Sequence, residues 1–267
     1  MSVINKTLKG LTYSVAEGIP VPHAFTTRLG GVSSGHLASL NLGTARGDDP
    51  ANVVQNYSLL GRALGFEPRD VVMATQTHSD IVLAVSEKDR GAGLMGPKLP
   101  ECDALITNTA GLALFVSTAD CTPVLLYDPV TGAVGAAHAG WRGTASAIAE
   151  KTALAMASVF GCAPQNLRCA IGPNIGPCHF ETDGEVPEAM VAQYGREALA
   201  HIQKRGEKYY LDLKAINALA LRRAGVVHIE QSADCTACQP GRYWSHRVTR
   251  GNRGAQGAII VCKEAIG

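Results

Sequence analysis

The chain has 267 residues, of which 46% are hydrophobic and 18% charged, and its formal net charge is +1. This near-neutral balance offers no basic patch of the kind that binds nucleic acid, and it favours a small, roughly uncharged substrate over a polyanion. Single α/β domains commonly reach this length and bury an extensive core, so we predict one catalytic domain over residues 1–267.

Cysteine usage and hydropathy set the expected compartment. Eight cysteines are too sparse for a disulfide scaffold, and no signal peptide opens the sequence. No apolar run approaches the roughly 18 residues that a membrane span needs. We therefore predict reduced thiols, a cytoplasmic location and no membrane partner. The composition leaves the oligomeric state open, a monomer included.

The first half of the chain predicts one helix among short strands. Asp49 and Pro50 resemble an N-cap and a first helical residue, apolar residues follow at helical spacing, and Gly65 ends the helix. Short apolar runs predict strands at residues 71–74, 81–85, 104–107 and 113–117.

A hairpin is predicted next. The apolar runs Pro123–Tyr127 and Ala133–Ala137 flank residues 128–132, which include a proline and a glycine suited to a turn. Cys121 precedes the first run and His138 follows the second. If the runs pair antiparallel, this thiol and this imidazole meet at one end of the sheet.

The residues after the hairpin suggest space and positive charge. Gly140 and Gly143 leave room for a ligand, and a helix predicted over residues 144–160 begins at Thr144. Its N-terminus, together with Arg142, would suit an anion.

The remaining pattern completes the fold class. Helices are predicted at residues 187–204 and 212–224, and strands at 168–171, 226–230 and 257–262. Strands and helices do not alternate regularly, which favours an α+β (α/β mixed) layered sandwich with a mixed β-sheet and flanking helices.

His78, Cys121 and His138 each stand at the end of an apolar run. Two imidazoles and a thiolate form a sound zinc set, and three protein ligands with an open fourth position are typical of catalytic zinc. The same residues could instead form a cysteine nucleophile and its histidine base, oriented by Asp120 or Asp103. A buried cysteine with structurally satisfied histidines is the alternative without chemistry.

Other cysteines and histidines carry weaker signals. Cys235 and Cys238 form a C-x-x-C pair without a second pair, so a structural loop is the favoured interpretation. Cys178 and His179 either approach the main site or pack locally. Four-copper chemistry is improbable, because the chain has eight histidines and no His-x-His pair.

Several separated motifs follow one another from about Phe25 to Val261. They are Phe25-Thr-Thr-Arg-Leu-Gly-Gly, Ser39-Leu-Asn-Leu-Gly43, Thr75-Gln-Thr-His78, Cys102-Asp-Ala-Leu-Ile106, Ala119-Asp-Cys121, Ala137-His-Ala-Gly-Trp-Arg-Gly143, Ile171-Gly-Pro and Ile175-Gly-Pro-Cys178. In this order they resemble the motifs of the laccase-domain, polyphenol-oxidase-like family, which is also called peptidoglycan editing factor or purine nucleoside phosphorylase.

The resemblance implies a CNF/YfiH-like, cysteine-hydrolase-type sandwich, with zinc held by His78, Cys121 and His138, which would also be catalytic. It implies phosphorolysis of adenosine, inosine, guanosine and methylthioadenosine, together with adenosine deamination, so purine nucleosides and phosphate are the expected partners. Copper-dependent polyphenol oxidation and a cysteine hydrolase that edits peptidoglycan precursors are the alternatives. The predicted substrate contacts are Arg28, Asn41, Asp120 and Arg142.

The chain departs from the family pattern at two places. The family often has Cys-Cys-Tyr-Glu where this chain has Cys178-His-Phe-Glu181, and a common Thr-Gly-Arg is replaced by Arg253-Gly-Ala.

Overall fold

The structure is a computed structural model that describes residues 3–8 and 10–263. Residues 1, 2, 9 and 264–267 of the predicted 1–267 domain lie outside the described residues.

The first sheet has six strands in the order β1-β2-β3-β15-β7-β4. It is mixed, because β4 pairs parallel to β7 while the other neighbours pair antiparallel. Its strands are β1 (Val3–Leu8), β2 (Leu11–Ala16), β3 (His23–Thr26), β4 (Val71–Met73), β7 (Ala113–Thr118) and β15 (Gln256–Val261).

The second sheet is also mixed and six-stranded, in the order β14-β10-β8-β9-β6-β5. Its strands are β5 (Val82–Ala84), β6 (Ala104–Thr107), β8 (Thr122–Tyr127), β9 (Val134–Ala139), β10 (Arg168–Ile171) and β14 (His228–Gln231). A small antiparallel sheet of β11 (Glu181–Thr182), β13 (Lys208–Leu211) and β12 (Ile202–Arg205) lies apart from both.

Six α-helices complete the described part of the chain. They are α1 (Pro50–Leu64), α2 (Trp141–Ala145), α3 (Ile148–Phe160), α4 (Glu185–Tyr194), α5 (Leu213–Arg223) and α6 (His246–Thr249).

Three apolar clusters define four layers. One cluster lies between the two six-stranded sheets and joins residues such as Val116 to residues such as Leu125. A second packs the outer face of the first sheet against α1, and a third packs the outer face of the second sheet against α3, α4 and α5. Neighbouring residues of β7 point into different clusters, as Leu114 and Phe115 do, because strand side chains alternate between faces. The order of layers is thus helix, sheet, sheet, helices, which confirms the predicted layered sandwich.

Local signals predicted several elements correctly. The side chain of Asp49 accepts a hydrogen bond from the Ala51 amide, and Gly65 ends α1 in the left-handed region at φ 79°. The hairpin forms as predicted, with Pro123 opposite His138. Its turn closes with the Gly132 amide donating to the Asp128 carbonyl.

Two helix predictions are wrong. The helix predicted over 144–160 begins earlier, at Trp141, and is interrupted at Ala147, which adopts φ 58°. The helix predicted over 187–204 starts at Glu185 and ends at Tyr194, where Gly195 reverses the backbone. A short 3₁₀ helix and β12 follow.

Candidate active site

The hairpin brings a thiol and an imidazole to one end of the second sheet. Cys121 directly precedes β8, and His138 lies on β9 opposite Pro123. His138 is 3% exposed, whereas Cys121 is half-buried. The sequence prediction that these two side chains share a sheet end is therefore confirmed.

His78 reaches the hairpin from the turn between β4 and β5. The Asp103 carboxylate organises this turn by accepting hydrogen bonds from the backbone amides of Thr77, His78 and Ser79, and one from the Ser79 hydroxyl at 2.7 Å. These contacts hold His78 at φ 64°, a left-handed conformation that is uncommon for histidine. The strained turn presents the exposed imidazole to Cys121, whose Sγ lies 3.9 Å from His78 Nε2.

The three side chains form a compact cluster of donor atoms. One ligand atom from each of His78, Cys121 and His138 lies within 4.8 Å of the other two. The two imidazole rings meet edge to face, with centroids 4.9 Å apart. The same Asp103 accepts a hydrogen bond from His138 Nδ1 at 2.7 Å, which leaves His138 Nε2 as the ring nitrogen that interacts with Cys121. A carboxylate behind a histidine ligand is a common arrangement at metal sites.

The electrostatics favour a thiolate at this cluster. Burial alone would raise the pKa of Cys121, but the charge of His138 and hydrogen bonds from both imidazoles outweigh it and lower the pKa to about 6. Burial alone would lower the pKa of His138, but the Cys121 thiolate and Asp103 raise it to about 9. Burial also opposes ionisation of Asp103, yet hydrogen bonds from His138 and Ser79 hold its pKa well below the usual range. Together these shifts describe a thiolate–imidazolium pair, and a metal ion bound here would take the place of the proton on His138 Nε2.

Gly140 makes room for this cluster. A Cβ at residue 140 would lie 2.6 Å from His78 Cδ2 and 3.3 Å from Cys121 Sγ. The small residues after His138 were expected to leave space for a ligand. At Gly140 that space is occupied by the His78 ring instead.

Two cavities open beside the three side chains, and both are lined by His78 and Cys121. The first, of about 280 Å³, has many polar lining residues, including Gln76, Lys98 and Thr118. The second, of about 430 Å³, has an apolar wall formed by Trp141, Ile175, Phe180 and Leu213.

Arg46 and Arg253 line both cavities and place positive charge beside the cluster. Burial and the nearby charge of Arg46 lower the pKa of Arg253 to about 10, so it stays protonated at neutral pH. The buried Nε of Arg253 has no hydrogen-bond partner among the described residues. Two guanidinium groups facing the same space are suited to a phosphate.

Arg28 and Asn41, which the sequence predicts to contact substrate, make structural contacts within the protein. The Arg28 guanidinium donates to the carbonyls of Ala38 and Pro240 and stacks on Trp244 at 3.8 Å. Neither Arg28 nor the fully buried Asn41 lines the two cavities. The amide of Asn41 instead bonds Gly43, Asp48 and Ala255, and so positions the loop that carries Arg46.

Of the other two predicted substrate contacts, Asp120 lines a cavity and Arg142 lines neither. Asp120 lines the second cavity, but its carboxylate accepts bonds from Thr236, Ser245 and the Arg247 amide. Asp120 adopts φ 88°, and its hydrogen bonds fix the position of the backbone that leads into Cys121. Of the two aspartates proposed to orient the histidine, Asp103 is therefore the one that contacts His138. Arg142 is exposed and lies on Trp141 at 4.2 Å, so it reaches neither cavity. The five-residue α2 provides no extended helix N-terminus for an anion.

Sequence reasoning missed Arg46, Arg253 and the apolar wall. Arg46 lies in an irregular loop without a motif, and Arg253 occurs where the chain departs from the family pattern. Trp141 was visible as part of a motif, but Phe180 and Leu213 approach it from remote segments.

Cys178 and His179 do not join the three side chains. They lie instead with Cys235 and Cys238, and one ligand atom from each of the four is within 4.8 Å of the others. Within the described part of the chain, this cluster and the cluster of His78, Cys121 and His138 are the two groups of three or more histidine, cysteine, aspartate or glutamate residues whose ligand atoms lie within 4.8 Å of one another.

Comparison with known proteins identifies the family. The sequence matches the family described as multi-copper polyphenol oxidoreductase laccase over residues 22–263, and the chain belongs to this family. A protein of Deinococcus radiodurans named purine nucleoside phosphorylase is 38% identical over 255 residues, covering 95% of this chain and 94% of that one. A Geobacillus stearothermophilus protein named purine nucleoside phosphorylase YlmD is 38% identical over 244 residues, covering 90% and 89%.

Solved structures confirm the fold. The crystal structure of YlmD from Geobacillus stearothermophilus matches with a TM-score of 0.93 at 35% identity, covering 99% of this chain and 100% of that one. A hypothetical protein YfiH of Bacillus licheniformis matches with a TM-score of 0.91 at 33% identity, covering 96% and 97%. Over the described residues, no helix is long and apolar enough to cross a membrane.

Proposed function

We propose that this protein is a zinc-dependent purine nucleoside phosphorylase whose metal is held by His78, Cys121 and His138. The observation that carries the proposal is the position of this cluster, which opens onto cavities lined by Arg46 and Arg253. Relatives named purine nucleoside phosphorylase, matched over most of their length, support the same activity.

The donor set fits zinc. Two imidazole nitrogens and a low-pKa thiolate lie close together, His138 has its carboxylate partner, and a fourth position can face the cavity. Zinc held in this way supplies Lewis-acid polarisation and acidifies water at the site. Copper is the less favoured alternative: the described residues present no many-histidine cluster for four-copper chemistry, although two imidazoles and a thiolate are also the donor set of single-copper sites.

In the proposed phosphorolysis, Arg46 and Arg253 bind phosphate and orient one oxygen towards the ribose C1′. The new bond joins that oxygen to C1′, the bond between C1′ and the purine nitrogen breaks, and the departing base takes up the proton that phosphate loses. Because the transition state is expected to resemble an oxocarbenium ion, positioning of the anion beside C1′ contributes directly to the rate.

The second cavity suits the purine. Trp141 and Phe180 provide aromatic surface against which a base can pack, and Leu213 adds apolar contact. His246 lines the same cavity, and burial together with the charges of Arg253 and Arg46 lowers its pKa. Its uncharged ring can exchange hydrogen bonds with a base edge near neutral pH. We therefore propose adenosine, inosine, guanosine and methylthioadenosine as substrates, since apolar contact with the base does not by itself select among them.

Adenosine deamination is proposed as a second activity of the same site. The shared edge of the two cavities brings the metal ligands close to a base packed on Trp141. The oxygen of water would bond to C6 of adenine, and the amino group would leave as ammonia. Release of ammonia and inosine from adenosine, without added phosphate, tests this activity separately. Retention of all amino groups would remove it.

The proposed function is tested by incubating the purified protein with inosine in the presence and absence of phosphate. We expect equal amounts of hypoxanthine and ribose-1-phosphate, formed only with phosphate and lost after metal chelation. Phenol-dependent oxygen uptake with bound copper would instead indicate the oxidase alternative. Hydrolysis of a cell-wall precursor in chelator, with an acyl group trapped on Cys121, would indicate the cysteine-hydrolase alternative.

A further inference from the structure

Four side chains from two remote segments form a second cluster of soft ligands. The turn after β10 provides Cys178 and His179, and the loop after β14 provides Cys235 and Cys238. Cys178 and Cys238 are 60 residues apart in sequence, yet their sulfurs are 3.5 Å apart. His179 Nδ1 lies 3.2 Å from Cys178 Sγ, 3.4 Å from Cys238 Sγ and 3.8 Å from Cys235 Sγ.

These distances match a tetrahedral metal site. With zinc–sulfur bonds of about 2.3 Å and zinc–nitrogen bonds of about 2.0 Å, tetrahedral ligands lie about 3.8 Å apart for two sulfurs and about 3.5 Å for sulfur and nitrogen. The separation of 3.5 Å between Cys178 Sγ and Cys238 Sγ is much longer than the roughly 2.05 Å of a disulfide bond. All four cysteine and histidine side chains therefore stand at ligand spacing.

We propose that Cys178, His179, Cys235 and Cys238 bind a structural zinc ion in a Cys₃His site. Three thiolates and one imidazole complete a tetrahedron, so no position remains for a substrate. The site is separate from His78, Cys121 and His138 and does not depend on the function proposed for them.

The surroundings of the cluster fit bound thiolates. The Gly176 amide donates a hydrogen bond to Cys235 Sγ at 3.1 Å. A Cβ at Gly176 would lie 3.2 Å from Cys235 Cβ, so the glycine lets this backbone approach Cys235 closely. Lys214 is buried, and its Nζ donates a hydrogen bond at 2.9 Å to the carbonyl of Asp234, the residue before Cys235. Zinc with three thiolates carries a net charge of about −1, which this lysine offsets.

The proposed ion would fix a wall of the second cavity. It would join the 172–181 turn to the 232–240 loop beside their backbone contact, in which the Thr236 amide donates to the Asn174 carbonyl. Thr236 Oγ1 also donates to Asp120 at 2.6 Å. Arg247 donates to the carbonyls of His179 and Glu181. The metal would thus stabilise the segment that carries Phe180.

Metal counting tests the proposal. Zinc is measured by mass spectrometry of the intact wild-type protein, prepared under reducing conditions, and of the Cys238→Ser variant. Cys162→Ser, at a buried cysteine outside both clusters, is the control. We expect Cys238→Ser to lose about one zinc per chain and the control to lose none. An unchanged metal content in Cys238→Ser would overturn the proposal, as would a disulfide between Cys178 and Cys238 in the reduced wild type.

The two clusters can be counted separately. In a Cys121→Ala background, about one zinc should remain, and adding Cys238→Ser should remove it. The loss caused by Cys238→Ser decides the present proposal even if His78, Cys121 and His138 bind no metal or the protein lacks phosphorylase activity. Zinc lost with Cys121→Ala alone concerns only the candidate active site.

The identity of the ligands can also be tested with a variant that is expected to keep the zinc ion. Cys178, His179 and Cys238 are exposed, so their substitution removes little packing. We expect His179→Ala to lose the ion and His179→Cys to retain it in a Cys₄ site. If Cys238→Ser and His179→Ala fail to fold, cobalt is bound instead to the Cys121→Ala protein, which keeps all four proposed ligands. Tetrahedral cobalt bands with thiolate charge-transfer absorption would support the proposal, and their absence would overturn it.

Discussion

The two clusters use the same ligand types but differ in number and surroundings. His78, Cys121 and His138 provide three ligands and border two cavities, whereas Cys178, His179, Cys235 and Cys238 provide four. The first cluster has an aspartate behind a histidine and a strained residue in its turn. The second has a backbone amide on sulfur and a buried lysine nearby. An open coordination position suits chemistry, and a closed one suits stability.

The largest effect short of removing a ligand is expected at Gly140. Gly140→Ala should reduce phosphorolysis about 100-fold, because its Cβ would displace His78 and metal-site perturbations commonly have effects of this order. Zinc content and initial rates measure the change. Gly241→Ala is the matched control, since a Cβ there meets nothing within 4 Å. Full activity in Gly140→Ala would mean that the position of His78 is unimportant.

A slightly smaller effect is expected for Asp103→Asn. The asparagine side chain keeps the shape of aspartate but loses the negative charge. That carboxylate accepts hydrogen bonds from three backbone N–H groups and from His138, so zinc affinity should fall about 10- to 100-fold. Competition with a chromophoric chelator measures the affinity. Asp128→Asn, a buried aspartate in the distant hairpin turn, should leave it unchanged. Equal losses in both variants would indicate general destabilisation instead.

Substitution of Arg253 and of Arg28 tests whether phosphate contacts the arginine beside the cavities or the one predicted from the sequence. Arg253→Met should raise the KM for phosphate about 10-fold or more, because a charge-assisted contact to the anion is lost. Arg28→Met should lower the melting temperature with little change in that KM, since Arg28 bonds backbone carbonyls. Steady-state kinetics at varied phosphate distinguishes the two. The opposite pattern would restore Arg28 as the phosphate contact.

The smallest effect concerns the link between the clusters. Thr236→Val should raise the KM for the nucleoside about 3-fold and destabilise the protein by about 1–2 kcal/mol, because Asp120 loses a buried hydrogen bond. Thr107→Val loses a comparable buried bond to Val85 and should destabilise similarly without changing KM. Kinetics and chemical denaturation on both variants compare them. An unchanged KM for the nucleoside in Thr236→Val would mean that the second cluster does not influence nucleoside binding in the cavity.

The hairpin and its two ligands could be predicted because their signals are local. Apolar runs and a Pro-Gly turn determine which residues flank β8 and β9, and antiparallel pairing then places Cys121 near His138. His78 was named with them because it also follows an apolar run, but its contact with the hairpin could not be predicted, since its turn is built by Asp103 from 25 residues away.

The remaining features depend on contacts that spacing does not reveal. Nothing local indicates that Cys178 meets Cys238, because their proximity follows from how β10 and β14 pair. Helical propensity favoured one helix through Ala147, but tertiary contacts prevail there. The Tyr194 hydroxyl binds the Thr144 carbonyl, and Asn217 binds the Thr144 hydroxyl. Arg28 was predicted to contact substrate because a basic residue in a glycine-rich loop suggests an anion site, whereas its guanidinium contacts Trp244 and two backbone carbonyls.

Phosphate-dependent turnover of inosine by Cys121→Ala, compared with Cys162→Ala, tests the central claim most directly. Cys121 lies in the open cluster, whereas Cys162 is a buried thiol 3.3 Å from the Thr131 hydroxyl. We predict that Cys121→Ala folds but forms no ribose-1-phosphate above about one-thousandth of the wild-type rate, while Cys162→Ala retains most of its activity. Wild-type turnover by a folded Cys121→Ala protein would contradict the assignment of the open cluster as the active site.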